Sequence, residues 1–305
     1  MSTLAGRRAA LSGNAQGVLW MLGSALCFTV MAALLKTLAG RGYPETEMVF
    51  FRAAAGFLVL APVALSGGAR RWRVQRPARV FVRCLYSTLG FFAGFYAFAN
   101  LPLAQAQSIS FSRTLFVAAL AALILREQVG WRRWSAVAIG FIGVLIMTRP
   151  DAASLSLPTL AAVLSAFLFG LAIVTTKDLT RDHDTFTLVL WTNAFTTLAG
   201  LPFVLFAWVT PGWGDLALLL ALGVAGVGAQ SCYVRALSKG EASLLGLVDY
   251  VRLPLAALLG YLLFAERPDQ LTLIGAAVVI GSTLYIAWRE SIRGARQRAA
   301  EPEPR

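Results

Sequence analysis

The chain has 305 residues, of which 58% are hydrophobic and 14% are charged, and its mean hydropathy is +0.68. Soluble domains are about 45–50% apolar and about 25% charged, so this chain carries more apolar surface than a soluble globule can bury. The composition therefore predicts a polytopic membrane protein. The net charge of +12 does not indicate nucleic-acid binding, because no stretch is long enough to form a soluble basic domain.

Residues that would indicate catalysis or metal binding are sparse. Cys27, Cys84 and Cys232 lie in apolar runs at spacings that match neither a zinc site nor a disulfide framework. The single histidine, His183, lies in a short polar segment, where we expect a solvated loop residue and not a metal ligand. Phosphate-binding, zinc-protease and hydrolase motifs are absent from the sequence. The sequence thus predicts no enzyme, no metal site and no cofactor.

Ten segments of the chain are apolar enough to cross a bilayer as helices of about 20 residues each. The stretches between them are too short to fold as separate domains. We therefore expect an all-α membrane protein with ten transmembrane helices. The predicted spans are 18–37, 47–65, 80–100, 104–125, 131–148, 158–177, 186–208, 215–236, 243–264 and 271–289.

Lysine and arginine are distributed unevenly between the two sides of these spans. With the N-terminus placed inside, 18 of them lie on the inner side and three, Arg41, Arg149 and Arg267, on the outer side. Cytoplasmic loops are enriched in these residues, so both termini are predicted to be cytoplasmic, with tails of residues 1–16 and 290–305. Most tryptophans fall near the predicted interfaces, where their rings prefer to lie.

The two halves of the chain match each other. Identical residues recur at fixed spacing in the first span of each half and again along the fourth and ninth spans, which indicates a duplication. The matched pairs are Ser24 with Ser165, Ala25 with Ala166, Phe28 with Phe169, Lys36 with Lys177, Leu38 with Leu179, Arg113 with Arg252 and Glu127 with Glu266.

Each copy holds five predicted spans, in residues 17–150 and 151–289. Because five is odd, the second copy must enter the membrane in the opposite sense, with Glu127 at an inner end and Glu266 at an outer end. Inverted repeats recur in secondary transporters, where the two copies exchange conformations around a central site. The sequence therefore predicts transport by alternating access.

The residues along span nine and beyond resemble a known family. The pattern of a proline midway along the span, a Glu at its end and a Gly-containing final helix is similar to the EamA-type branch of the drug/metabolite transporter superfamily. The residues are Arg252, Leu253, Pro254, Gly260, Glu266 and Gly275.

This resemblance covers roughly residues 17–289 and implies a carrier of small solutes. Length and sequence are most similar to aromatic amino acid exporters of the YddG type, which implies export of aromatic and other neutral amino acids. In the first half, Leu115 stands where the repeat would place a proline, so the sequence gives no support for a helix break in span four.

Two cations lie deep in the predicted spans. Arg113 and Arg252 are each about ten residues into a helix, roughly 15 Å at 1.5 Å per residue and near the centre of a ~30 Å hydrocarbon core. An arginine there costs at least ~2.5 kcal/mol unless it faces a cavity or a partner, so both are predicted to point inward. Four others are close enough to span ends for their side chains to reach the interface. They are Lys36, Arg52, Arg83 and Arg235.

Asp249 is the only acidic residue deep in a span, and it lies three residues before Arg252 on the same helix face. In one interpretation it neutralises an arginine and the cluster holds the two halves together, with the other arginine bonded to carbonyls or to Ser110. In the other, at least one arginine receives a substrate carboxylate, for which its planar guanidinium is suited. A third hypothesis makes Asp249 a proton carrier, which the neighbouring arginine disfavours.

Aromatic and polar side chains supply further candidates for a cavity lining that suits an amphipathic solute. The alternative is that they face lipid or pack helices, as the Gly90 and Gly94 pair on span three suggests. The candidates are Phe28, Phe169, Tyr86, Tyr96, Gln230, Tyr233, Tyr250 and Trp20, with Phe91, Phe92 and Phe95 beside them on span three.

Together these features predict an exporter of amino acids in the bacterial cytoplasmic membrane. Its expected partners are a small-molecule substrate and the lipid bilayer, and one subunit is sufficient to form the pathway. One alternative keeps transport but changes the solute to another metabolite, a drug or a nucleotide sugar. A more remote alternative is a membrane protein without transport activity.

Overall fold

The structure is a computed structural model that describes residues 13–66, 72–124, 131–148, 156–179, 182–239, 245, 248–282 and 284–285. Most of the two predicted tails, Glu127 and Trp288 lie outside the described residues, as do the side chains of Lys177 and Trp131.

Helices account for nearly all of the described chain. The bilayer offers no water to backbone N–H and C=O groups, so a spanning segment must satisfy them internally, and these long apolar runs do so as α-helices. The helices are α1 Gly13–Gly40, α2 Glu45–Ser66, α3 Pro77–Asn100, α4 Leu103–Phe111, α5 Arg113–Ile124, α6 Trp131–Thr148, α7 Leu157–Leu179, α8 Thr185–Phe206, α9 Trp213–Lys239, α10 Arg252–Phe264 and α11 Gln270–Ser282.

Six of these helices, α1 to α3 and α7 to α9, are long and apolar enough to cross a bilayer. The remaining predicted spans coincide with the shorter apolar helices. Large apolar side chains cover the outside of the bundle, with Phe206 93%, Leu205 73% and Leu198 70% exposed. A surface of this kind is stable in lipid and not in water. The chain is therefore a multi-pass α-helical membrane protein, while the count of ten spans stays a prediction.

Spans four and nine are both interrupted at the same place in the repeat. Ser112 separates α4 from α5, and Val251 precedes α10, so each break lies one residue before Arg113 or Arg252. At both breaks an N–H donates three residues back, from Ser112 to Ile109 and from Val251 to Val248. Span four is thus interrupted although the sequence offered no support for a break there, because this tight turn forms without a proline.

Paired hydrogen bonds relate the two halves. α1 packs mainly against α9, and α3 packs mainly against α7. Ser24 in α1 donates to the carbonyl of Ala229 in α9, and Ser165 in α7 donates to that of Gly90 in α3, each at 2.8 Å. Gly90 precedes Arg113 by 23 residues, as Ala229 precedes Arg252. The repeated serines thus make equivalent contacts in the two halves.

His183 is a buried residue and not the solvated loop residue expected. Its exposure is 8%, and its Nε2 accepts a hydrogen bond from the backbone N–H of Gln75 at 2.8 Å. Nδ1 lies 3.2 Å from the carbonyl of Leu179. The imidazole therefore ties the segment before α3 to the end of α7.

Candidate functional site

A cluster of three charged residues forms where the two interrupted spans meet, and we call Arg113, Asp249 and Arg252 the central cluster. Asp249 Oδ1 lies 2.7 Å from Arg252 Nε, and its Oδ2 lies 4.0 Å from an Arg113 terminal nitrogen. Asp249 and Arg252 are 7% and 4% exposed. One carboxylate therefore serves arginines from both halves of the chain.

Arg252 has further partners in α1. A terminal nitrogen donates to Ser24 Oγ at 3.2 Å, and the guanidinium lies over the Phe28 ring, 4.6 Å from its centre. The ion pair with Asp249 compensates the buried charge, although Nε itself has no hydrogen-bond acceptor. Arg252 therefore acts chiefly as a link between α1 and span nine. Ser24 was not among the predicted site residues, although its match with Ser165 was the available signal.

Arg113 is the more open arginine of the central cluster, because 26% of its side chain is exposed against 5% for Arg252. Ser110, also predicted here, accepts from the backbone N–H of Ser112 through its carbonyl and is half-buried. Tyr250 packs its ring against that of Phe111 with centroids 4.6 Å apart. The predicted residues from spans four and nine thus come together.

Other predicted lining residues do not join the central cluster. Phe169 packs against Gly90 and the Phe91 ring, which is helix packing of the kind the glycine pair indicated. Trp20 stacks under the Arg235 guanidinium at 4.9 Å, and Gln230 is exposed.

The three other predicted tyrosines differ in how near they lie to the central cluster. Tyr233 packs in an apolar cluster with Met21 and lies within electrostatic range of Arg252. Tyr86 and Tyr96 are half-buried on α3, and their side chains make no hydrogen bond or ring contact with the central cluster in the described part of the chain. Of the three, Tyr233 alone is close to the central cluster.

Arg52, which the sequence placed near a span end, packs against an aromatic ring of α3. Its guanidinium lies over the Phe91 ring, 3.9 Å from the ring centre. Nε is buried without an acceptor, and the side chain makes no hydrogen bond or ion pair with any residue that the structure describes. The sequence could not reveal this, because depth in a helix does not show which neighbours a side chain meets.

A cavity of about 680 Å³ opens at the end of the bundle where α1 and α3 end and α2 begins, and we call it the vestibule. It is separate from the central cluster, because its lining includes Lys36, Tyr43, Glu45, Asn100 and Phe264 but no member of that cluster. Burial, reinforced by a hydrogen bond to a carboxylate in α9, raises the pKa of Tyr43 above its ordinary value.

Glu266 joins three helices beside the vestibule. α10 ends at Ala265, whose left-handed conformation lets the N–H of Glu266 bond back to the carbonyl of Gly260. The carboxylate pairs with Lys36, and its other oxygen accepts from the N–H of Leu103 at 2.8 Å. Lys36, which the sequence placed near a span end, is therefore held in an ion pair.

Two segments of the chain, residues 15–149 and 157–288, match the EamA-like transporter family. The chain belongs to the EamA-like transporter family. One solved crystal structure shares the fold with a TM-score of 0.61 and 21% identity, and the match covers 90% of this chain and 98% of that one. The resemblance stated from the residues of span nine is thus confirmed at the level of the EamA family.

Several members of the EamA family with curated names align along nearly their whole length. An S-adenosylmethionine uptake transporter of Rickettsia prowazekii is 28% identical over 92% of this chain and 95% of its own. A riboflavin transporter of Rhizobium johnstonii is 29% identical over 91% and 92%. The pseudopaline exporter CntI of Pseudomonas aeruginosa is 30% identical over 89% and 95%. These names support membrane transport, and they do not support the narrower likeness to aromatic amino acid exporters.

Proposed function

We propose that this chain is an alternating-access transporter of amino-acid-type solutes, which it exports across the bacterial cytoplasmic membrane. By amino-acid-type we mean a small solute with a carboxylate on a largely apolar body. Transport of small molecules is the activity for which the EamA relatives are named. Amino acid export is the narrower part of the proposal. S-adenosylmethionine, which contains methionine, shares the carboxylate but not the apolar body.

The observation that carries the solute class is an excess of positive charge deep in the described bundle. Arg113 and Arg252 share the carboxylate of Asp249, and Arg52 has no ion-pair partner among the described residues. The buried carboxylate of Glu47 accepts from the backbone N–H of Val209 instead. Unpaired charge in a low-dielectric interior is costly and marks a functional site in membrane proteins. A solute carboxylate would supply the missing negative charge, and a guanidinium can bind it through two parallel hydrogen bonds.

The matching interruptions of spans four and nine support alternating access. Transporters with inverted repeats use discontinuous helices near the bilayer centre, and rock one part of the bundle against another around a fixed site. In the proposed mechanism the segments on either side of Ser112 and Val251 change their angle, while Asp249 keeps the arginines of both halves together. Residues 17–150 and 151–289 are the proposed repeat units, inverted with respect to each other.

Flux into proteoliposomes tests the proposal. Labelled phenylalanine, threonine, methionine and S-adenosylmethionine are compared with their carboxamide forms, and protein-free liposomes serve as the control. We expect saturable flux of at least one acid, with kcat/KM at least tenfold above that of its amide. Acid flux no faster than in protein-free liposomes would contradict the proposed solute class.

A second candidate function is transport of a metabolite without a carboxylate. The name of the Rhizobium johnstonii relative, a riboflavin transporter, favours including it. Riboflavin is therefore added to the flux panel. Flux of riboflavin without flux of any acid would support this second function in place of the first.

A further inference from the structure

We propose that Arg52 binds the carboxylate of the transported solute, at a site formed between α2, α3 and α9. This inference rests on the proposed function and names its anion-binding residue. The residues that form the site are Arg52, Phe91 and Gly226, and we call it the Arg52 site.

The lack of an ion-pair partner among the described residues distinguishes Arg52 from Arg252. Arg252 Nε is likewise buried without a hydrogen-bond acceptor, but the charge of Arg252 is paired with Asp249 and a terminal nitrogen donates to Ser24. Arg83 donates to Thr176 Oγ1 and to the carbonyl of Leu188, both at 2.8 Å. Arg52 has no such acceptor among the described residues, and its Nε is buried. A buried donor without an acceptor is unfavourable, so Arg52 has the most to gain from an external anion.

Phe91 orients the guanidinium for that role. The ring lies 3.9 Å from Arg52 Cζ, and it is braced by Phe169, whose centroid is 5.0 Å away at an angle of 75°. Stacking uses the face of the guanidinium, whereas its N–H groups point outward in the plane. The ring therefore holds the side chain in one orientation without using its in-plane N–H groups.

Glycines in α9 provide the space beside this side chain. A Cβ on Gly226 would lie 3.2 Å from Arg52 Nε and 3.3 Å from Met31 Sδ, and one on Gly223 would lie 2.4 Å from the Cβ of Ala55. The α2 and α9 backbones therefore approach closely at this level. A side chain at position 226 would crowd the guanidinium.

The Arg52 site lies along the same helix as the vestibule. Glu45, part of the vestibule lining, is the first residue of α2, and Arg52 follows seven residues later, roughly 10 Å along the helix. The vestibule volume of about 680 Å³ lies within the range of small-molecule sites, roughly 300–1,000 Å³. A solute in the vestibule is thus about two helical turns from Arg52.

The test compares acid and amide solutes in variants of the purified, reconstituted protein. In Arg52→Gln we expect kcat/KM for the acid to fall at least tenfold, while that for the amide stays within about threefold of wild type. Arg52→Lys keeps the charge but loses the two-point geometry, so we expect an intermediate loss. Arg83→Gln, which replaces an arginine whose donors already have acceptors within the bundle, is the matched control, in which the preference for the acid should persist.

Thermal stabilisation by solute gives a second readout that does not require flux. The acid should raise the Tm of wild type, and of Arg83→Gln, but not that of Arg52→Gln. If Arg52→Gln fails to fold, Gly226→Ala replaces it, with an expected rise of at least fivefold in KM for the acid alone.

The two proposals fail in different ways. Acid preference retained in Arg52→Gln, or lost equally in Arg83→Gln, would overturn the assignment of Arg52 and leave the solute class intact. A wild-type protein that neither moves nor is stabilised by any acid would overturn the proposed function itself.

Discussion

At the residue scale, the central cluster is a case of one carboxylate shared between two arginines. Asp249 lies 2.7 Å from Arg252 and 4.0 Å from Arg113, and it is 7% exposed. Removing one member of a buried ion pair is costly because the remaining charge stays buried without compensation. The distances therefore assign Asp249 a structural role in holding spans four and nine together.

Replacement of this carboxylate should destabilise the protein. We expect Asp249→Asn to lower the free energy of unfolding by about 3–5 kcal/mol, as for other broken buried pairs. The measurement is thermal unfolding in detergent, followed by intrinsic fluorescence.

Asp215→Asn is the matched control for this prediction. Asp215, in the first turn of α9, pairs with Arg41, which follows α1 and whose side chain is 51% exposed. Exposed ion pairs contribute about 0–1 kcal/mol to stability. Equal unfolding temperatures for Asp249→Asn and wild type would contradict a structural role for the central cluster.

Sequence reasoning located the central cluster but not all its contacts. Arg113, Arg252 and Asp249 could be predicted because charge deep in an apolar run is costly and must find a partner. Ser24 was recognised only through its match with Ser165, which does not show that it contacts Arg252. The environment of Arg52, outside this cluster, could not be predicted because it depends on neighbouring helices. The burial of His183 was missed for the same reason, since its partner Gln75 is distant in sequence.

At the element scale, the interruptions of spans four and nine do not depend on proline. Leu115 and Pro254 are repeat counterparts, yet both spans contain the same tight turn before their arginine. In span four the N–H of Leu115 donates to the carbonyl of Ser112 at 2.9 Å, three residues back. The turn therefore forms both with a leucine, which has a backbone N–H, and with a proline, which has none.

Pro254→Ala should therefore keep both the fold and the function. We expect transport within about threefold of wild type and an unchanged or slightly higher Tm, because proline in the first turn of a helix costs little. Pro62→Ala, inside the continuous helix α2, is the contrast, and it should raise Tm more by restoring an interior hydrogen bond. A loss of transport beyond tenfold in Pro254→Ala would show that proline sets the break.

Close packing of α2 against α9 gives a second prediction at this scale. A Cβ at Gly223 would lie 2.4 Å from the Cβ of Ala55, which is fixed to its backbone and cannot move aside. We expect Gly223→Ala to lower stability by about 1–3 kcal/mol, as overpacking does elsewhere, with thermal unfolding as the measurement.

Gly214→Ala, in the first turn of the same helix, provides the control for Gly223→Ala. Nothing lies within 4 Å of its added Cβ, so the substitution should be neutral or slightly stabilising. If the two variants unfold at the same temperature, the close approach of α2 and α9 is incorrect.

At the scale of the whole molecule, hydropathy predicted the positions of the helices but not their internal structure. Where the structure describes them, the predicted spans are almost entirely helical, because 20 apolar residues in lipid can satisfy their backbone only as a helix. The break at Ser112 remained hidden, since a single tight turn changes neither length nor hydropathy. The matched residues Ser24 and Ser165 were the most informative about helix packing, because each donates an equivalent hydrogen bond to a neighbouring helix.

The inverted arrangement of the two halves predicts where the repeated glutamates lie. Cys27, Cys84 and Cys232 are replaced by Ala, and single cysteines are introduced by Gln128→Cys and Pro268→Cys, directly after Glu127 and near Glu266.

Gln75→Cys and Thr210→Cys, in exposed connections that the arginine distribution assigns to the inner and outer sides, are the controls. Labelling with a membrane-impermeant maleimide should modify positions 268 and 210 in intact cells, and positions 128 and 75 only after permeabilisation. Because five spans separate the two repeated positions, labelling of 128 and 268 from the same side would mean that the halves are parallel. Exchange of their conformations could then not open one site alternately to the two sides of the membrane.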